Sequence, residues 1–143
     1  MESKTDIHQD AIVRILRARE FLYAGLADLL KRYGLTEPQY NVLRILRGAG
    51  PDGLPCLEIG RRLITRVPDV TRLLDRLEKE GLVSRVRNKE DRRVVKTTIT
   101  SKGLKLLRKI DKPFAELHKS LFSNLSVNEI SDLTRIIDKI MKR

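Results

Sequence analysis

The chain is short of the residues that build disulfide scaffolds, metal centres and aromatic platforms. It has one cysteine, Cys56, so no internal disulfide is possible. It has two histidines, His8 and His118, far apart in sequence and outside any His/Cys cluster of metal-ligand spacing, so no metal site or cofactor is expected. No glycine-rich phosphate loop and no obvious nucleophile–base pair is present, which argues against an enzyme. No apolar run approaches the ~20 residues of a membrane-spanning helix. The opening Met1-Glu2-Ser3-Lys4-Thr5-Asp6 lacks the apolar stretch of a signal peptide. A lone cysteine and the absence of an export signal together point to the cytoplasm. Tryptophan is absent, and Phe21, Tyr23, Tyr33, Tyr40, Phe114 and Phe122 are the only aromatics, none between residues 41 and 113.

What the chain has in excess is positive charge. It carries 30 Lys and Arg against 19 Asp and Glu, a formal net charge of +11. Residues 1–60 are balanced, with 8 basic and 8 acidic side chains, whereas residues 61–100 hold 12 against 6 and residues 101–143 hold 10 against 5. A localised basic excess is the electrostatic footprint of a polyanion binder. Single-stranded nucleic acids need aromatic faces for their bases to stack on, and none lies where the basic excess begins. Duplex DNA, gripped through phosphates and read by a helix, fits better.

Apolar spacing predicts helices at both ends. Ile12, Ile15, Leu16, Leu22, Tyr23, Leu26, Leu29 and Leu30 recur at three- and four-residue steps over 9–32, ahead of Gly34. Thr36, Pro38 and Gln39 form a helix start, with a capping box and a proline in the first turn. Loop Gly48-Ala49-Gly50-Pro51-Asp52-Gly53 precedes a short helix over about 55–63. The next helix spans 68–80, with Pro68 at its first position, Val67, Val70, Leu73, Leu74 and Leu77 inward, and Gly81 at its end. Then the period changes. Residues 82–87 and 94–99 are short and rich in β-branched side chains, and Asn88-Lys89-Glu90-Asp91-Arg92 joins them as a polar turn. Thr100 or Ser101 caps a helix over 102–122, where Pro113 predicts a kink or break. Ser126 and Glu129 form a capping box for the last helix.

Two short helices joined by a turn and followed by a β-ribbon describe a winged helix-turn-helix. The expected fold is mainly α with a small two-stranded β-wing. The winged domain occupies 35–100, and residues 1–34 and 101–143 form a helical dimerisation region. A helix fits the major groove, where base edges carry a distinguishable pattern, and a wing cation suits the narrow, negative minor groove.

The stretch Val70-Thr71-Arg72-Leu73-Leu74-Asp75-Arg76-Leu77-Glu78-Lys79-Glu80-Gly81-Leu82-Val83, then Arg85, Asp91-Arg92-Arg93 and Ile99-Thr100-Ser101-Lys102-Gly103, resembles the MarR (multiple antibiotic resistance regulator) family of transcription factors. The resemblance spans roughly residues 10–142. It implies a homodimer with interlaced end helices, set on a pseudo-palindromic DNA site. That agrees with the apolar residues of the end helices, among them Ile12, Ile15, Leu16, Phe114, Leu117, Leu121, Ile130, Leu133, Ile137 and Ile140, which are too many to leave solvated.

By the same resemblance Arg93 is the wing arginine that enters the minor groove and Asp91 the acid that holds its guanidinium. Arg85, Arg87, Lys89 and Arg92 are phosphate contacts or solvated charges. On the recognition helix Pro68, Asp69, Thr71, Arg72 and Arg76 face outward, with Arg72 positioned for guanine or phosphate, and Thr65 and Arg66 lead in. Many members sense small aromatic ligands, and Tyr23, Tyr33 and Tyr40 either line such a site or serve as core. Cys56 begins a helix, where a thiol gains reactivity, but does not match the family's oxidant-sensing cysteine. The expected function is a sequence-specific regulator of transcription, most simply a repressor. The rival is an architectural DNA binder without base readout.

Overall fold

The computed structural model describes residues 6–142. The first five residues, part of the polar start read above, lie outside the described residues, as does Arg143. Six helices and one small sheet follow in the order α1 (Ile7–Lys31), α2 (Glu37–Ala49), β1 (Leu54–Pro55), α3 (Cys56–Arg62), α4 (Val70–Lys79), β2 (Val83–Arg87), β3 (Val95–Ile99), α5 (Ser101–Leu121) and α6 (Val127–Met141). None of these helices is long and apolar enough to cross a membrane.

Local chemistry sets the helix starts. Thr36 accepts from the Gln39 amide while the Gln39 side chain accepts from the Thr36 amide, the reciprocal box that satisfies two orphan donors. Ser126 and Glu129 repeat it ahead of α6. Thr100, not Ser101, caps α5 through the Gly103 amide at 3.1 Å. The start of α4 departs from expectation. Asp69 is its N-cap, accepting from the Arg72 amide at 3.0 Å, so Pro68 stands outside the helix rather than at its first position. A carboxylate satisfies a helix-start donor, which a proline ring cannot do.

Helix α5 also runs unbroken through Pro113. Leu107 and Ile110 before the proline and Phe114 after it are all buried, and that packing offsets the ~3 kcal/mol an interior proline costs. Phe114 itself is a correction. It is 7% exposed and lies 4.7 Å from the Tyr40 ring, so it belongs to the protomer's own core and not to a dimer face.

The sheet has three antiparallel strands in the order β1-β3-β2, where two were expected. Strand β2 pairs with β3 from Val83–Ile99 to Arg87–Val95, and β1 adds Leu54 opposite Thr97 and Pro55 opposite Lys96. Two residues ending in proline give no strand signal, and proline is tolerated there because β1 is an edge. Gly53 makes that approach possible. At φ +66° it lies so close to β3 that a Cβ would meet the Thr97 carbonyl.

The core lies inside the winged region and its seams. Val42, Leu43 and Leu46 of α2, Ile59 of α3, Leu74 and Leu77 of α4, Val83 of β2 and Leu107 and Ile110 of α5 are at most 2% exposed. The end helices join it only in part. In α1, Leu30 alone is buried, and α6 has no buried residue. Ile12, Ile15 and Leu16 on α1 and Leu133, Ile137 and Ile140 on α6 are exposed, with Leu117, Leu121 and Ile130 half-buried.

Candidate nucleic-acid interface

The helix-turn-helix is held from behind by α2. Asn41, 2% exposed, accepts the Ile64 amide at 2.9 Å and so fixes the turn between α3 and α4. Leu63 plugs the turn into the core at 8% exposed. Leu74 and Leu77 are buried, while Val70 and Leu73 are half-buried on the same stripe. A 3.6-residue repeat then turns the other face out. Pro68, Asp69, Thr71, Arg72 and Arg76 are all exposed, as is Arg66 before them, and Thr65 is half-buried.

The wing leaves α4 at Gly81, which takes φ +75°. Its base is fixed by the Thr100 hydroxyl donating to the Gly81 carbonyl and by the Lys102 ammonium donating to the Glu80 carbonyl, both at 2.7 Å. Its tip is fixed by its own backbone. The Asn88 amide donates to the Val94 carbonyl at 2.8 Å and the Val94 amide to the Asp91 carbonyl at 3.0 Å. The Asn88 side chain accepts from the Glu90 amide at 2.9 Å. Lys89, Asp91, Arg92 and Arg93 are exposed on that tip.

Two wing residues do not act as expected. The Asp91 carboxylate accepts the Arg93 backbone amide at 3.1 Å and makes no bond to the Arg93 guanidinium. It shapes the turn that presents Arg93 and leaves the guanidinium unpaired. Arg85 is withdrawn from the surface. Its guanidinium binds Glu78 at 2.9 Å and also Asp75, and its side chain is 24% exposed. These carboxylates raise the Arg85 pKa above its ordinary value, and the Arg85 hydrogen bond holds Glu78 below the usual glutamate value. Nε and Nη2 of Arg85 are committed to these pairs, so its charge is already matched by two carboxylates. Arg87 is partly engaged too, donating to the Arg92 carbonyl at 3.0 Å.

The balance of charge follows. Asp69, Asp75, Glu78 and Asp91 each accept from a donor of their own chain. Among the described residues, Arg66, Arg72, Arg76, Lys89, Arg92 and Arg93 have no ion-pair partner. The surface therefore offers unpaired guanidinium and ammonium donors while its nearby acids are largely occupied. Such a surface suits phosphate oxygens and base-edge acceptors.

Asn41, Asp75 and Glu78 were not singled out from the sequence. Asn41 had a readable signal, a polar residue within the apolar stretch of α2. The two acids had none, because their partner lies seven to ten residues on, across a glycine turn.

A cleft of about 580 Å³ opens beside the start of α4, between Tyr23 of α1, Thr36 and Pro38 at the start of α2, and Pro68, Arg72 and Arg76. Of the three tyrosines only Tyr23 lines it, with the Arg19 guanidinium 5.5 Å over its ring. Tyr33 and Tyr40 pack against the core, where burial raises the Tyr40 pKa. Cys56 is half-buried, its sulfur 3.8 Å from the Thr71 hydroxyl. His118 stands edge-on to Phe114 at 4.7 Å, and no metal-holding cluster of His, Cys, Asp or Glu occurs among the described residues.

Comparison with known proteins agrees with this geometry. The MarR family model matches residues 35–95. A MarR transcription factor from Planctomyces limnophilus is 36% identical, with 96% of this chain and 98% of that chain covered and a TM-score of 0.73. An Escherichia coli MarR variant complexed with operator DNA is 25% identical, over 96% of this chain and all of that chain, with a TM-score of 0.84. The homoprotocatechuate degradative operon repressor of Escherichia coli is 24% identical over 94% of this chain and 90% of its own length. The exposed recognition helix, the cationic wing and these likenesses agree, and the chain belongs to the MarR family of DNA-binding transcription regulators, which are not enzymes.

Proposed function

We propose that this regulator works as a homodimer that recognises a pseudo-palindromic duplex site and represses transcription by occupying promoter DNA. The observation that carries the reading is the set of unpaired cations on α4 and the wing beside acids occupied within the chain. Arg72, Thr71 and Arg76 read or grip the major groove, with Pro68 and the Asp69 cap at its edge. Arg93 enters the minor groove, and Arg66, Arg87, Lys89 and Arg92 meet phosphates. Residues 35–100 are the reading unit, and 1–34 with 101–143 the associating one. The exposed Ile12, Ile15 and Leu16 on α1 and Leu133, Ile137 and Ile140 on α6 support association, since stripes of this kind on a soluble chain mark an interface. Two-fold symmetry would then set two wings and two α4 helices on two half-sites. The E. coli operon repressor among the relatives supports the negative sign of regulation.

The cleft at Tyr23 supports control by a small aromatic ligand. It has an aromatic wall and cationic Arg72 and Arg76, and it touches both the associating helix α1 and the start of α4. A ligand there that prefers a different spacing of the half-sites would release DNA.

The test is binding of the purified protein to DNA upstream of its own gene and to scrambled DNA of equal length, in excess competitor at several salt concentrations. Light scattering on the same sample gives the chain count. Selective binding by a dimer, weakening steeply with salt, is expected. Equal binding to every duplex tried, including one chosen from a randomised pool, would instead favour an architectural binder. A monomer would overturn the two-half-site reading.

A further inference from the structure

We propose that Arg85 is a positioning residue for DNA recognition: by gripping Asp75 and Glu78 it locks the wing to the recognition helix, so that both grooves are read at one fixed offset. This rests on the reading above, that α4 and the wing contact adjacent grooves.

The grip is a fork. One terminal nitrogen of Arg85 lies 2.9 Å from Glu78 Oε1 and also binds Asp75, and Nε lies 3.3 Å from Glu78 Oε2. The Arg85 backbone amide donates to the same Oε2 at 3.2 Å, so main chain and side chain of one strand residue hold one carboxylate. Asp75 and Glu78 stand three apart on α4, which places both on one helix face. Among the described residues no other hydrogen bond joins α4 to β2.

Charge alone gives this trio no reason to lie beside DNA. Two carboxylates and one guanidinium sum to one negative charge, which repels phosphate. An unpaired arginine would attract it. The trio's contribution is therefore geometric. The hairpin leaves α4 through Gly81, whose backbone is permissive; its base is held at Glu80, Gly81 and Leu82, and β1 pairs with β3 along its other edge. None of these joins β2 to α4 along the strand; Arg85 supplies that link, part-way out along β2. The link sets the strand's direction relative to the helix that precedes it, and a site held in its binding geometry loses less entropy when it binds.

The experiment starts with a duplex selected from a randomised pool by the parent protein. Its affinity is compared with that for a shuffled duplex, over a range of salt, for Arg85→Lys, Arg85→Gln, Asp75→Asn and Glu78→Gln. Electrostatics alone predicts that removing either carboxylate strengthens DNA binding. The clamp predicts that selectivity falls by about tenfold in each variant, the scale of one lost groove contact. Lysine at position 85 keeps the charge but cannot fork, so it behaves like glutamine. The salt slope stays at the parent value, whereas loss of a direct phosphate contact lowers it by about one. Hydroxyl-radical protection where the wing sits becomes diffuse without being lost, and stays sharp under α4. Asp75 and Glu78 are exposed, so their variants fold, as thermal melts would verify.

Full selectivity in Asp75→Asn and Glu78→Gln, or in Arg85→Lys, overturns the clamp, as does a salt slope lowered by one in Arg85→Gln. A parent protein that enriches no sequence from the pool overturns the reading of function, and the clamp with it. A selective parent with unaltered variants overturns the clamp alone.

Discussion

One substitution, glycine to alanine, is expected to change sign across three positions in this chain. In a helix alanine is favoured over glycine by up to ~1 kcal/mol. At Gly48, in the last turn of α2, an added Cβ meets nothing within 4 Å, so Gly48→Ala gains roughly 0.5 kcal/mol. At Gly60 in α3 the Cβ would lie 3.3 Å from a Val70 methyl. A small shift of that methyl absorbs most of the gain, leaving the change within about 0.5 kcal/mol of zero. At Gly103, in the first turn of α5, the Cβ would stand 2.5 Å from the Leu82 carbonyl oxygen and 2.7 Å from Ile99 Cγ1. Neither neighbour yields cheaply. The Leu82 carbonyl already accepts the Thr100 amide at 3.1 Å, so its retreat stretches the bond at the foot of the wing. Overpacking of this kind costs about 1–3 kcal/mol, and a weakened hydrogen bond adds about 1. Against a propensity gain below ~1 kcal/mol, a net loss near 2 kcal/mol remains. Urea unfolding at one fixed chain concentration reads all three. With a slope of roughly 1–3 kcal/mol per molar, Gly103→Ala lowers the midpoint by about 1 M. A Gly103→Ala midpoint at or above the parent's would refute the steric argument.

Other expectations follow from the same contacts. Arg93→Ala should weaken DNA binding about tenfold while leaving the chain count and melting temperature unchanged, because Arg93 is exposed and unpaired; equal affinity in a filter-binding assay removes the wing from the mechanism. Asn41→Ala should cost about 1–3 kcal/mol, since it leaves the Ile64 amide without its acceptor; amide exchange at Ile64 should quicken more than at Leu43, and equal protection would refute it. Ile137→Asp with Leu133→Asp should yield monomers by light scattering, and an unchanged mass would move the interface away from α6. For pH, the Glu78 pKa is lowered in the folded state. Its contribution to stability is therefore complete above the unfolded value near 4.5 and is lost as pH falls through the depressed value. Glu78→Gln should flatten that acid limb, and identical limbs would show that Glu78 does not titrate with folding.

The helices were legible because each has a local signature. Thr36 with Gln39 and Ser126 with Glu129 announce two helix starts without any tertiary contact. The outward face of α4 follows from a single period. What sequence could not supply came from contacts across the fold. Strand β1 exists only because β3 pairs with it and Gly53 admits the approach. Pro68 competed with Asp69 for the helix start, and a hydrogen bond decided it. Phe114 shares a seven-residue spacing with its neighbours Leu107 and Leu121, so periodicity assigns it to a helix face and cannot say which partner that face meets. Arg85 looked like any other wing cation, since charge counts do not reveal who has already bound whom.

The nearly bare outer half of α1 and the whole of α6 give the proposed dimer a genetic consequence. Association would lie in the two chain ends and DNA reading in the middle, with little shared burial between Ile12 or Ile137 and the core. A lesion at Arg93 or Arg72 would leave a subunit able to pair. In a cell with both alleles such a subunit would draw intact partners into mixed pairs with one reading head, so damage to the reading surface would behave as dominant. A lesion in α6 would remove its own product from the pool and behave as recessive. The order of elements along the chain would thus set how mutations in this gene are inherited.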